Sequence, residues 1–149
     1  MNWFLVRLLL ALSRTKNLYS HSIEFVLAFP QANLDCEMSM EWSLGMCSES
    51  NGNCVLKLKS NPHGIKQGDY NWSNKVRKVL IDRGFTPLEL EKCVCMSKTV
   101  LVLVHVDDYI VFSRSDSSIN FLIKYLFEGT EKFELTNEGS IENRLGVKF

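Results

Sequence analysis

The chain has 149 residues, of which 46% are hydrophobic and 23% are charged, and this composition suits one globular domain with a core of its own. Its 17 basic and 17 acidic residues give a formal net charge of zero, which argues against a free-standing nucleic-acid-binding protein. Its five cysteines are odd in number and irregularly spaced, which does not describe a disulfide framework and indicates thiols in a reducing compartment.

The first predicted element is a helix over residues 2–13. Its apolar side chains recur with helical spacing at Phe4, Leu5, Leu8, Leu9 and Leu12. Arg7 interrupts the apolar run, no small-residue cleavage site follows it, and the run is too short to span a bilayer. We therefore expect an amphipathic or buried helix, with no signal peptide, no transmembrane segment and an intracellular location in cytoplasm or nucleus.

Short apolar runs after this helix predict strands. Residues 23–29 form a candidate buried strand that ends at Pro30, because proline cannot donate to a strand ladder. Residues 34–42 begin a stretch rich in acids, methionine and serine, and they alternate as a strand would. Residues 54–58 form a second short alternating strand.

The middle of the chain predicts a helix within a basic segment. A turn at residues 61–64 precedes apolar positions at helical spacing, with Ser73 as a candidate N-cap and Gly84 as a candidate stop. The segment holds seven basic and two acidic residues: Lys57, Lys59, Lys66, Lys75, Arg77, Lys78 and Arg83 against Asp69 and Asp82. A phosphate backbone led along this segment and an ordinary solvated helix face explain the excess equally well.

A hairpin with two acids at its bend is the next predicted element. Residues 93–97 and 100–106 are predicted to pair as strands, and residues 109–112 to form the returning strand. Asp107 and Asp108 then lie at or near the bend. Neighbouring carboxylates are costly to bury unless a cation satisfies them, so a tip that holds a divalent metal ion is one interpretation. An ordinary hairpin with a solvated Asp-Asp turn is the other.

A second helix is predicted after the hairpin, capped by Ser115 or Asp116 and ended by Gly129. Its expected apolar face comprises Ile119, Leu122, Ile123, Leu126 and Phe127. Residues 133–135 and 145–149 are late strand candidates. This order of elements is typical of an α+β fold in which helices pack on one face of an antiparallel sheet.

Two motifs carry a resemblance to a known family. His105-Val106-Asp107-Asp108, between its two apolar runs, resembles the Tyr-Val-Asp-Asp box of reverse transcriptases. Residues 23–32, with the sequence IEFVLAFPQA, resemble the first catalytic motif of the Ty1/copia retrotransposon reverse transcriptase.

Further segments follow in the order and spacing of that family. Gly64-Ile65-Lys66-Gln67 with Trp72 resembles its Tyr-Gly-Leu-Lys-Gln segment. Gly84-Phe85-Thr86, Cys93-Val94 and Leu145-Gly146-Val147 match later positions, and residues 6–10 are similar to the helix before the first motif. The resemblance therefore covers nearly the whole chain.

The resemblance implies a polymerase palm-like sheet with partial fingers. The fingers remnant would cover about residues 1–20 and 33–70, and the palm would cover the rest. Thumb, ribonuclease H, integrase and protease parts are not expected in this chain.

The implied activity is RNA-directed DNA polymerisation by two-metal nucleotidyl transfer. It would use an RNA/DNA primer-template and deoxynucleotides, with two Mg²⁺ ions for which Mn²⁺ can substitute. The implied catalytic and metal-binding carboxylates are Glu24, Asp107 and Asp108. Glu24 stands where the family has an aspartate, and its extra methylene moves the carboxylate by roughly 1.5 Å. Asp35 would be the first acid if the match were off register.

The resemblance also implies nucleotide and template contacts. Phe29 would lie under the sugar and exclude the ribose 2′-hydroxyl, although packing of a strand residue in the core is the competing interpretation. Gln31 would face the nucleotide pocket. Three residues of the later motif, Gly64, Lys66 and Gln67, would contact template or nucleotide.

The chain departs from the family pattern at several positions. His63 and His105 replace aromatic residues, and Asp69 with its neighbours stands where an arginine is usual before Trp72. These departures keep a second hypothesis open, namely a catalytically inactive remnant that at most binds nucleic acid. A third is an α+β domain whose Asp-Asp turn holds no metal. The sequence does not indicate an oligomeric state.

Overall fold

The computed structural model of the chain describes residues 3–42 and 55–141. Its helices are α1 (Trp3–Thr15), α2 (Lys66–Asp82) and α3 (Asp116–Glu128), and a short 3-10 turn covers Phe29–Gln31. Its strands are β1 (Tyr19–Phe25), β2 (Ser39–Met40), β3 (Leu56–Lys57), β4 (Thr86–Pro87), β5 (Val94–Met96), β6 (Val100–His105), β7 (Asp108–Ser113) and β8 (Leu135–Ser140). None of these helices is long and apolar enough to cross a bilayer.

Six strands form one antiparallel sheet in the order β4-β5-β6-β7-β1-β8, and β2 pairs with β3 separately. The first strand of the chain therefore lies inside the sheet, between two strands that come much later. The predicted α+β class and the predicted hairpin of β6 and β7 are confirmed.

The two faces of the sheet bury separate cores. On one face, α2 and α3 cover an aromatic cluster in which the ring of Phe25 lies 5.1 Å from that of Trp72, 4.6 Å from Tyr109 and 5.5 Å from Phe133. On the other face, α1 packs on alternate residues of β6 and β7 such as Leu103. Helices α2 and α3 thus share a face as expected, whereas α1 packs on the opposite face.

The predicted helix α1 forms, but it buries a different stripe from the expected one. Val6, Leu10 and Ser13 are buried, whereas Leu8 and Leu12 are more than 40% exposed. Because this helix is apolar nearly all round, its spacing does not select one face.

The strand predicted at residues 23–29 is displaced toward the N-terminus. It begins at Tyr19 and ends at Phe25, since Leu27 has a φ of +49° and turns the chain before the 3-10 turn. The left-handed backbone conformation of Leu27 has no signature in the sequence, so the apolar run of residues 23–29 predicts one continuous strand.

Helix α2 begins at Lys66, seven residues before the expected cap at Ser73. Its end is confirmed at Gly84, which has a φ of +78°. The Gly84 N–H donates to the Ile81 carbonyl and the Phe85 N–H to the Leu80 carbonyl, which is a Schellman motif.

Smaller differences concern the remaining elements. The strand expected over residues 34–42 is only Ser39–Met40. Of the strand expected over 54–58, the described residues 55–58 form a strand only at Leu56–Lys57. Helix α3 ends at Gly129 as predicted, but Phe127 is 54% exposed and not part of its buried face. The candidate strand at 145–149 lies outside the described residues.

Candidate active site

The hairpin between β6 and β7 turns on two residues, Val106 and Asp107. Val106 has a φ of +50°, a left-handed conformation that costs a non-glycine residue roughly 1–2 kcal/mol. A tertiary contact holds it there, because the Nε1–H of Trp72 donates to the Val106 carbonyl at 2.5 Å. Helix α2 is thereby attached to the residue that precedes the two acids.

The two implied acidic motifs meet at this end of the sheet. Glu24 and Asp108 are register partners in β1 and β7, and Asp108 is in turn the partner of His105 in β6. The Phe25 N–H donates to the Asp107 carbonyl at 2.8 Å, so Asp107 lies one register step further along. The backbone register therefore brings Glu24 and Asp108 together on neighbouring strands, with Asp107 in the adjoining turn.

This end of the sheet face is open. Glu24 and Asp108 are exposed, whereas Asp107 and His105 are half-buried. Helix α1 covers the same face only further from the hairpin, around Leu103. Two like charges that face each other on adjacent strands repel, and a cation between them would remove that repulsion.

The described side chains provide a carboxylate pair but not a complete metal centre. Within residues 3–42 and 55–141, no three His, Cys, Asp or Glu side chains are grouped closely enough to hold a metal ion. Glu24 and Asp108 are carboxylates on adjacent strands, and carboxylate oxygens are the type of ligand that a divalent cation takes. The alternative acid Asp35 lies in the loop after Ala32, where the side chain of Asn71 lowers its pKa.

Phe29 lies beside the segment that resembles the template-contacting motif. Its half-buried ring is 5.2 Å from the ring of His63, with an interplanar angle of 57°. His63 is thus an aromatic neighbour of Phe29. Gly64 follows with a φ of +92°, and a Cβ there would meet no heavy atom within 4 Å, so the backbone is accessible. Lys66 and Gln67 are exposed in the first turn of α2.

Gln31 directs its side-chain amide at backbone atoms. Its Nε2 donates to the carbonyls of Val26 and Glu134, at 2.5 and 2.8 Å, and its Oε1 accepts from the Glu134 N–H at 2.9 Å. The side chain therefore joins the end of β1 to the start of β8.

Part of the basic segment is used within the protein. Lys57 pairs with Glu37 at 2.7 Å, and Arg83 lies over the ring of Tyr125 at 3.2 Å. Lys75 donates to the Gln31 carbonyl at 2.8 Å. The segment is therefore not a uniform strip of cations that could follow a phosphate backbone. Lys66 is exposed near Gly64 and could contact a phosphate.

Asn61 fixes the loop that carries His63 and Gly64. It is completely buried, and its Nδ2 donates to the carbonyls of Ala32 and Asn33 at 2.7 and 3.1 Å. Sequence reasoning identified only a turn here, since a buried asparagine has the same local signature as an exposed one.

Replacing Asn61 with alanine is expected to lower the free energy of unfolding by about 1–3 kcal/mol, because the buried Ala32 carbonyl and the partly buried Asn33 carbonyl lose their donor. Urea unfolding followed by circular dichroism measures the change. The matched control is Asn120→Ala, which removes an exposed amide bonded to Asp116 and should cost about 0.5 kcal/mol or less. Equal losses in the two variants would contradict the anchoring role of Asn61.

Comparisons with known proteins identify the family of the chain. Over residues 1–149 the chain matches the family described as "Reverse transcriptase (RNA-dependent DNA polymerase)". The chain belongs to the reverse transcriptase family, and the prediction of a Ty1/copia-type retrotransposon sequence is confirmed.

A curated relative is the "Retrovirus-related Pol polyprotein from transposon TNT 1-94" of Nicotiana tabacum, which is 22% identical over 148 residues. The aligned region is 96% of this chain and 11% of that polyprotein, so the chain spans about one tenth of the length of its relative. No solved structure matches the chain significantly.

Proposed function

We propose that this chain carries out RNA-directed DNA synthesis as the palm-like part of a copia-type reverse transcriptase. The observation that carries the proposal is that Glu24 and Asp108 are register partners on adjacent strands at the open end of the sheet, with Asp107 one register step away. The partners are an RNA/DNA primer-template and deoxynucleotides.

In the proposed reaction a primer 3′-hydroxyl attacks the α-phosphate of a nucleotide, and pyrophosphate leaves in line. Divalent cations, Mg²⁺ or Mn²⁺, would supply the charge that stabilises the attacking and leaving oxygens. Glu24 and Asp108, with Asp107 beside them, would hold these cations at the sheet end. The register of β1 and β7 fixes the backbone positions from which the Glu24 and Asp108 side chains extend. This is the protein's main contribution to positioning these carboxylates.

The motif around Gly64 would form the other side of the nucleotide site. Phe29, whose ring contacts His63, would contact the sugar, and the exposed Gly64 backbone would allow close approach of a base or phosphate. Lys66 and Gln67 would contact the phosphates or the template.

Divalent cation binding tests the proposal directly. Mn²⁺ at a hundredfold excess over its Kd should raise the free energy of unfolding by about 2.7 kcal/mol, because it binds only the folded carboxylate pair. Thermal unfolding with and without Mn²⁺ measures the effect.

Asp108→Asn should abolish this stabilisation. Asp82→Asn, which removes the same charge at the far end of α2, should leave it intact. A folded wild-type chain with no Mn²⁺ response would contradict the metal-binding role of the pair.

A second candidate function, an inactive remnant that binds nucleic acid, is favoured by two observations. The described residues do not bring three ligands together, and Glu24 stands where the family has an aspartate. Such a remnant would bind a primer-template with steep salt dependence but add no nucleotide.

A further inference from the structure

Gln31 has a stronger claim to a positioning role than to nucleotide contact. Its carboxamide makes three hydrogen bonds, all with backbone atoms of Val26 and Glu134. A side chain engaged in this way is not available to a ligand without breaking them.

The amide acts as an extra peptide group in the sheet. The Glu134 carbonyl accepts from both the Val26 N–H, at 3.0 Å, and the Gln31 side chain. The Glu134 N–H is bonded back to Gln31. The chain leaves β1 after Phe25, so these hydrogen bonds close the turn of residues 26–31 against the start of β8.

The main chain of Gln31 is fixed from a third direction. Its carbonyl accepts from Lys75 of α2, whose Nζ also lies 3.3 Å from the Glu131 carboxylate and 5.3 Å from the centre of the Phe133 ring. Three separate parts of the chain therefore meet at one residue.

Phe29 lies inside the turn that the Gln31 hydrogen bonds close. We propose that Gln31 is a positioning residue that fixes the ring of Phe29, and so sets discrimination between deoxyribonucleotides and ribonucleotides. The inference rests on the proposed function, because Phe29 acts as a sugar gate only in a polymerase. Geometry at a site of this kind must hold to within about 0.5 Å, which a turn closed only by its own backbone does not ensure.

The test combines a structural and a selectivity measurement on three variants. Gln31→Ala removes the amide, Gln31→Met keeps most of its volume without hydrogen bonds, and Asn120→Ala is the control for loss of an exposed amide on α3. Hydrogen exchange of residues 28–32 reports the turn. Primer extension with Mn²⁺, using a deoxynucleotide and the matching ribonucleotide on one template, reports selectivity as a ratio of kcat/KM values.

Gln31→Ala and Gln31→Met should each speed exchange in the turn and lower the selectivity ratio by roughly tenfold, the factor expected when hydrogen bonding is lost. Asn120→Ala should change neither. Unchanged exchange in both Gln31 variants, or faster exchange with an unchanged ratio, overturns the inference while nucleotide addition itself supports the proposed function. Wild-type selectivity in Gln31→Met alone would assign the effect to packing and overturn it too. No nucleotide addition by any form, including Glu24→Asp, rejects the proposed function, and the inference falls with it.

Discussion

Replacing Trp72 with alanine is expected to lower the free energy of unfolding by about 3–5 kcal/mol, the range for removal of a fully buried large aromatic side chain. Trp72 is completely buried and packs edge-on against Phe25 and Phe133, at centroid distances of 5.1 and 5.6 Å. The contacts among these rings join α2 to the inner strand β1 and to the chain before β8. Loss of the Trp72 side chain leaves a cavity that the rigid residues of the sheet cannot fill.

The variant Trp72→Phe separates packing from hydrogen bonding. It keeps an aromatic ring in the cluster but removes the donor to the Val106 carbonyl. We expect a smaller loss of about 1–3 kcal/mol, which combines the unpaired carbonyl with the lost ring volume. The loss should be accompanied by faster hydrogen exchange at the hairpin tip.

Urea unfolding and hydrogen exchange at residues 105–108 measure these effects. Trp3→Ala is the matched control, since Trp3 is 56% exposed and its removal should cost about 0.5 kcal/mol or less. If Trp72→Phe left both stability and tip exchange unchanged, the contact with Val106 would have no role in holding the turn.

Shortening Glu24 to aspartate is expected to raise the rate of primer extension by about 10²-fold, because misplacement of a catalytic group by about 1 Å costs that much. The carboxylate of Glu24 starts from a fixed backbone position opposite Asp108. One methylene fewer brings it back toward the strand, where the family places its aspartate. The exposed position makes the substitution a small change in stability.

Initial rates on a primed RNA template with Mn²⁺ measure this gain. Glu89→Asp makes the same chemical change at an exposed position outside the sheet and should leave the rate unchanged. Asp108→Asn combined with Glu24→Asp should remove the gain. A rate that does not rise in Glu24→Asp would show that the extra methylene is not what limits the site.

Local patterns in the sequence predicted the elements whose signals are local. The hairpin of β6 and β7 has two apolar runs with a polar bend, and α3 has a serine before it and a glycine after it. The start of α2 was misplaced because Lys66 follows Ile65, which provides no side-chain cap, and the first buried large residue comes only at Trp72.

The candidate site residues came from the sequence, whereas the contacts that support them did not. Glu24 and Phe29 were identified through the resemblance to a family, and Asp107 and Asp108 also through the pattern of the hairpin. The contacts that position them, from Trp72 to Val106 and from Gln31 to Glu134, join residues far apart in the chain. Hydrogen bonds of this kind depend on how the elements pack, and no single segment of sequence contains a signal for them.

The place of β1 inside the sheet has a consequence for synthesis on the ribosome. Its partners β7 and β8 lie roughly 85 to 120 residues later, and chains grow at about 5–20 residues per second. The nascent β1 therefore waits on the order of 5–20 s with both edges unpaired. During that interval the apolar residues of β1 and α1 are available to other chains, so a chaperone that binds extended apolar segments would raise the yield of folded protein.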